Sequence, residues 1–342
     1  MPPRLEFGCL PTGIGSLPHT DPEEACSVVM KFFPDIPVWP QLPRRSHLED
    51  MVIQFSQGFP GVVVEADNVR IEESSDFAVE LEQVYADYER GEIGRYGVSP
   101  QYAPGLYTLL SRVRGNKAVK GQITGPITWG LRVHRQDGLG IIYDETLSEA
   151  AARFLGLKAR WQENILGTVS SSTIIFVDEP YLVSLGSVFK PIPEENVPFL
   201  LREVMTQLKG IKGLHCCGNT DWSVVLKLGI DILSFDAYNY ASSLSAHCDE
   251  VRSFLESGGG IAWGIVPNDE EALAKESVSS ICERLGEAID PFTRNGKRFK
   301  QILAQALITP SCGLASLSPE AAYLCVELTA KVSQRLKSRY GV

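Results

Sequence analysis

From residue 117 to residue 314 the chain repeats one pattern: a short apolar run that stops at Gly, Pro, Asn or Asp, then a longer stretch of helical period. The runs KAVKGQITGPI, STIIFVDEP, IKGLHCCG, DILSFDAY, GGIAWGIVP and ALITPSCG read as strands, with an earlier one near PTGIGS. Between them, SEAAARFLGLKARWQENIL (residues 148–166), NVPFLLREVMTQLKG and AHCDEVRSFLES carry apolar residues at i, i+3, i+4 and i+7, so each helix can lay one face on a sheet. Strands alternating with helices imply repeated βα units around a parallel sheet. The number of strands, and the lack of a G-x-G-x-x-G opening, favour a closed (βα)8 TIM barrel over a dinucleotide-binding open sheet. A chain of 342 residues suits one such barrel, so a single domain over residues 1–342 is expected.

The remaining stretches fit around that core. VVVEADNVRIEES, residues 62–74, alternates apolar and polar residues across an ADN turn and reads as a small hairpin insertion, a solvent-facing flap. FFPDIPVWPQLPRR reads as an extended loop over the barrel mouth, because proline cannot continue a helix or a central ladder.

Charge and cysteine usage exclude several function classes. A formal net charge of -10 without a basic run argues against nucleic acid as a partner. No stretch approaches the ~20 apolar residues of a membrane span, and MPPRLEFGCL lacks the basic-then-apolar build of a signal peptide. The expected location is therefore the cytoplasm. Eight cysteines spread over a long chain are not a dense disulfide framework, so they should be free or metal-bound. Cys282 and Cys325 lie in helical patterns and act as small core hydrophobes.

In a barrel the active site lies at the C-terminal strand ends, where Ser16, Asp178, His215, Cys217, Asp236 and Cys312 all fall. His215 and Cys217 in GLHCCGNTDW are two positions apart at a strand end, which puts them on one side of the backbone and turns Cys216 away. Cys312 offers a third soft ligand and Asp236 a carboxylate, a set that suits Zn²⁺ with one position kept for substrate. Alone, H-x-C is equally a buried histidine beside an inert thiol. The vicinal Cys216 and Cys217 are an alternative redox pair, although they lack the C-x-x-C spacing. Cys312, at the end of a different strand on the same rim, raises the metal reading above both.

GIGSLPHTD (13–21), DM (50–51), ITGPITW (123–129), FVDEP (176–180), H-x-C (215–217) and PSCGL (310–314) together resemble the C-terminal catalytic barrel of cobalamin-independent methionine synthase. Its superfamily also holds uroporphyrinogen decarboxylase and the corrinoid-dependent methyltransferases. The resemblance spans nearly the whole chain. It implies a zinc held by His215, Cys217 and Cys312, with L-homocysteine against Ile14, Gly15 and Ser16 and its amino group paired to Asp178; Asp178 and Glu179 are the expected catalytic carboxylates.

Three departures from the family pattern shape the expected function. Where the family has a glutamate as fourth zinc ligand, LSFDAY offers Asp236, one methylene shorter. The second substrate-binding glutamate expected just before Asp50 and Met51 is missing from RRSHLEDM, so another group must finish that pocket. The folate-using enzymes carry a histidine after the seventh strand and a second, N-terminal barrel, whereas GIAWGIVPNDE has no histidine. A methyl-corrinoid needs no acid at that point, because cobalt leaves with the electron pair. The expected donor is therefore methylcobalamin or a methyl-corrinoid on a carrier protein. Coenzyme M as acceptor and methyltetrahydrofolate as donor are the alternatives, and a structural zinc clip is the non-enzyme reading.

Overall fold

The computed structural model describes residues 6–185, 193–293 and 298–342. Ten strands form: β1 Leu10–Pro11, β2 Val62–Glu65, β3 Asn68–Ile71, β4 Val119–Thr124, β5 Val133–His134, β6 Thr173–Asp178, β7 Ile211–Cys216, β8 Ile232–Phe235, β9 Gly260–Val266 and β10 Ala306–Pro310. Seven of them make one curled sheet in the order β1-β10-β9-β8-β7-β6-β4, and its pairs are all parallel. All the runs read as strands from the sequence lie in this sheet. The fold is α/β and TIM-barrel-like.

Alternation along each strand sorts the side chains. Ile174 and Phe176 face inward with Leu10, Ile232, Ala262 and Leu307 as a small inner cluster. Their neighbours Ile175, Val177, Leu214, Leu233 and Phe235 face outward into the larger cluster under the helices. Gly213 is required here, since a Cβ at that position would lie 2.1 Å from the Phe176 ring. Polar residues occupy the upper inward positions: Asp178 follows Phe176 on β6, and His215 follows Gly213 on β7. Burying each large aliphatic side chain below them contributes about 1.5–3 kcal/mol, enough to fix which face each strand turns inward.

Helices cover the outer face. The long helix Glu145–Leu166 begins three residues before the expected start because Asp144 caps it, accepting a hydrogen bond from the Leu147 N–H at 3.0 Å. Val197–Gln207 and Cys248–Glu256 lie within the other two expected helices. Cys325 is fully buried in helix Pro319–Tyr340, and Cys282 is half-buried in Val278–Ile289.

Two loop readings change. The proline-rich stretch is extended, but it spans the gap between β1 and β4 instead of only covering the mouth. The Lys120 N–H donates to the Pro37 carbonyl (2.9 Å), Trp39 N–H to the Lys120 carbonyl (3.4 Å) and Gln41 N–H to the Gly15 carbonyl (3.1 Å). Val38 thereby bridges Lys120 in parallel, and Ser16 bridges Gln41. Residues 62–71 form the antiparallel pair β2 and β3 around Ala66 and Asp67. They are not a free flap: Val69 and Ile71 are buried, and β3 pairs in parallel with β5. Among the described residues no helix is long and apolar enough to cross a membrane.

Candidate metal centre and substrate pocket

His215 is the last inward residue of β7, and Cys217 lies just beyond the strand end. Cys312 lies two residues past β10. Their donor atoms, one imidazole nitrogen and two thiol sulfurs, lie within 4.8 Å of one another. The imidazole is aimed by β8: Ser234 is the register partner of His215, and its Oγ lies 2.9 Å from Nδ1. This leaves Nε2 buried with no hydrogen-bond partner among the described residues. An orphaned buried nitrogen costs about 1–3 kcal/mol unless something coordinates it. One imidazole and two thiols form an N/S donor set that fits Zn²⁺, with the Ser234 hydroxyl holding the ring as such sites require.

The local electrostatics already favour a thiolate. A hydrogen bond from the Cys312 thiol holds Cys217 well below the usual thiol range against the opposing effect of burial, and the nearby imidazole adds to it. The same hydrogen bond keeps the proton on Cys312 and raises it. Cys216 points to the outer face and is fully buried, with its thiol pushed up to about 12 by that burial. It therefore offers no competing ligand.

Two expected site residues are engaged elsewhere. Asp236 caps helix Ala237–Ser245: Oδ1 accepts from the Asn239 N–H (2.9 Å) and Oδ2 from the Asn239 side-chain amide (2.7 Å). Its carboxylate is not among the three donors that lie within 4.8 Å of one another in the described residues. Glu179 is fully buried and turned to the start of helix Pro126–Arg132. Its carboxylate accepts from Ile127 N–H (2.8 Å), Thr128 N–H (2.8 Å) and the Thr128 hydroxyl (2.6 Å). Burial pushes it up to about 7 while these bonds pull it down. Glu179 is thus placed as an anchor for that helix, not in the pocket.

Asp178 does face the pocket, a cavity of about 270 Å³ that also meets Ile14, Ser16, His215, Cys217 and Cys312. Its Oδ1 is buried without a partner among the described residues. Burial pushes the carboxyl up to about 6, with the imidazole of His215 and the ammonium of Lys120 pulling the other way. Ser16 is held by the Cys312 loop, its carbonyl accepting from the Leu314 N–H at 2.9 Å. Gly313 leaves room for it, since a Cβ there would lie 2.2 Å from the Ser16 hydroxyl. Gly15 is wedged between Gln41 and Gln122 beneath the same loop. Larger grooves of about 750 and 600 Å³ lie at the opposite end of the sheet around Thr173 and Gly210, away from every clustered donor.

Several pocket residues were missed by the sequence reading. Glu49, directly before Asp50, is buried in the pocket wall, where the glutamate was expected to be missing. It accepts from the Leu42 N–H at 2.9 Å, and burial pushes it up to about 7. The signal was present in RRSHLEDM, where a glutamate stands directly before Asp50. Gln41 lines the same wall, oriented by a 2.7 Å bond to Gln54. Lys120, fully buried on β4, donates to the Ile14 carbonyl at 2.7 Å and lies 4.4 Å from the Phe176 ring centroid, supporting the loop from below. A lysine within a strand run signals an inward polar position only once its neighbours are known. His19 and Asp269 are not among the pocket-lining residues; Asp269 caps helix Glu270–Lys275.

No protein-family model and no curated protein matches the chain. Many solved structures are similar in fold, among them two that share most of their length with this chain. One is a B12-independent methionine synthase from Shewanella sp. W3-18-1 in complex with selenomethionine, at 14% identity and a TM-score of 0.60, covering 97% of this chain and 98% of that one. The other is a methyltransferase from Methanosarcina mazei, at 15% identity and a TM-score of 0.55, covering 92% of this chain and 86% of that one. At these identities the likeness is one of fold, and it extends over nearly the whole of each chain.

Proposed function

We propose that this chain is a single-barrel, zinc-dependent methyltransferase that moves a methyl group from a methyl-corrinoid to the thiol of L-homocysteine, forming methionine. The observation that carries the reading is the convergence of His215, Cys217 and Cys312 within 4.8 Å on the wall of a pocket that also holds the unpartnered Asp178 oxygen. Zinc held by these three residues would supply a Lewis acid that keeps the acceptor thiol ionised at neutral pH, well below its free pKa of about 8.5. Asp178 then holds the amino group, and the Ile14, Gly15 and Ser16 loop holds the carboxylate end. Among the described residues, the pocket wall carries Glu49, Asp50 and Asp178 and no lysine or arginine. That charge favours an acceptor bearing an ammonium over the sulfonate of coenzyme M.

The choice of donor rests on the available acids. Carbon–nitrogen cleavage in a methyl-folate needs a proton at the departing amine, and the stretch after β9, VPNDEE, has no histidine. Cobalt leaves a methyl-corrinoid with the bonding electron pair, so the sulfur–carbon bond forms as the cobalt–carbon bond breaks without proton transfer. A corrinoid carrier protein is the proposed partner, contributing binding energy remote from the methyl group.

The test is methionine formation by zinc-loaded protein from homocysteine with either methylcobalamin or methyltetrahydrofolate. Turnover with methylcobalamin and background with the folate is the expected result. Turnover from the folate without corrinoid would overturn the donor, and a protein that retains no zinc would overturn the reading as a whole.

A further inference from the structure

Cys312 reaches the metal centre against the alternation of its own strand. On β10, Leu307 faces the inner cluster and Ile308 the outer one. Strict alternation would then turn Thr309 and Ser311 inward and Cys312 outward. The ladder to β9 slips at this point: Thr309 pairs with Gly264, but Pro310 pairs with Val266. One residue of β9 is passed over, so the irregularity lies on β9, and the residues that follow it bond to the turn after β10.

A slip of this kind needs something to hold it, and the residue that does so is Asn268, two positions beyond β9. Its backbone N–H donates to Ser311 Oγ at 3.2 Å, and its Oδ1 accepts from the same hydroxyl at 2.9 Å. Its side-chain amide donates to the Gly313 carbonyl at 3.2 Å. Ser311 N–H is meanwhile bonded to the Val266 carbonyl at 2.8 Å. Asn268 therefore grips the residue before Cys312 and the residue after it. The hydroxyl that alternation would send inward is instead tied to β9, and the thiol takes its place.

We infer that Asn268 is a positioning residue for the metal centre, setting the off-register turn that presents Cys312 to a bound zinc. The inference rests on the zinc reading and adds a role that the three donors do not contain. It also gives the polar residue after β9 a task at the metal, in a stretch that has no histidine. Partners that orient a ligand in this way are typically worth 10- to 100-fold in metal affinity.

The test is the rate of zinc release to a chromophoric chelator from the intact loaded protein. Asn268→Ala should speed release about 10- to 100-fold, while the unfolding midpoint of the zinc-free protein changes little. Asn268→Asp keeps the acceptor for Ser311 and loses the donor to Gly313, so its release rate should fall between the two. Ser311→Ala, which removes only the shared hydroxyl, covers the case in which Asn268→Ala does not fold. It should speed release in the same direction. Wild-type release rates in both Asn268→Ala and Ser311→Ala would overturn the inference and leave the zinc site standing. So would a drop in the zinc-free midpoint large enough to explain the faster release. Failure of the wild-type protein to hold zinc would instead remove the proposed function itself.

Discussion

Asp178 is the residue where metal binding and substrate recognition can be separated. Its carboxylate meets the pocket with one oxygen unpartnered, and the metal donors are His215, Cys217 and Cys312. Asp178→Asn keeps the shape and removes the charge. The expected outcome is full zinc content with homocysteine use weakened by about 1.5–3 kcal/mol, the value of a hydrogen bond to a charged group. Cys217→Ser should do the reverse and lose the zinc. An unchanged dependence on homocysteine concentration in Asp178→Asn would return Asp178 to a structural role. At this scale the sequence was informative where spacing alone decides direction: His215 and Cys217 share a face because they are two apart on a strand. It was uninformative where two sets of donors compete for one carboxylate. Asp236 and Glu179 each directly follow a strand end, yet the donors their carboxylates bond are at helix starts, which satisfy a carboxylate before a pocket does.

Among the elements, helix Glu145–Leu166 carries an unusual load in Lys158, which is fully buried. Its Nζ lies 3.3 Å from the Gly97 carbonyl and 5.0 Å from the centroid of the Phe154 ring. Burial alone pulls the amine down from 10.5 to about 7. The unfolded chain keeps this proton up to roughly pH 10.4, whereas the folded chain releases it near 7. The unfolded state therefore binds more protons between those values, and stability rises with pH across that window by up to about 1.4 kcal/mol per unit. Below about 7 the full penalty of burying the cation is present. Lys158→Met should remove it, so the variant should gain most over the wild type near about pH 6 and little above about pH 10. Urea midpoints of both proteins across this range decide the matter, and parallel curves would sink the assignment. Helical period identified this helix correctly and could not have found the lysine's burial, because period 3.6 places a residue on a face without saying how deep the face lies. The proline-rich stretch is extended as expected, and its bridging of the sheet was missed for a related reason. Proline removes a donor, but a parallel bridge uses the N–H of alternate residues only, and Trp39 and Gln41, on either side of Pro40, supply these.

Over the whole molecule, the two ends of the curled sheet are joined through residues 37–41, and a ring of buried amides holds that junction. The Trp39 indole N–H donates to Gln162 Oε1 at 2.9 Å. Gln162 donates to the Gln122 carbonyl at 2.9 Å, and Gln122 donates to the Trp39 carbonyl at 3.1 Å. Helix Glu145–Leu166, strand β4 and the junction are thus tied by three bonds among buried groups. Gln162→Leu keeps the volume and leaves the indole N–H and the Gln122 carbonyl without this partner, at about 1–3 kcal/mol for each orphaned group. The denaturant midpoint should fall accordingly. Zinc content should stay near that of the wild type, because none of the three donors takes part in this ring of hydrogen bonds. Gln41, at the end of the junction, lines the pocket wall, so the apparent affinity for homocysteine should weaken along with stability. An unchanged midpoint would show that the sheet holds its curl without residues 37–41. Loss of zinc together with stability would show that the junction and the metal centre fold as one unit, not as two ends of a shared frame.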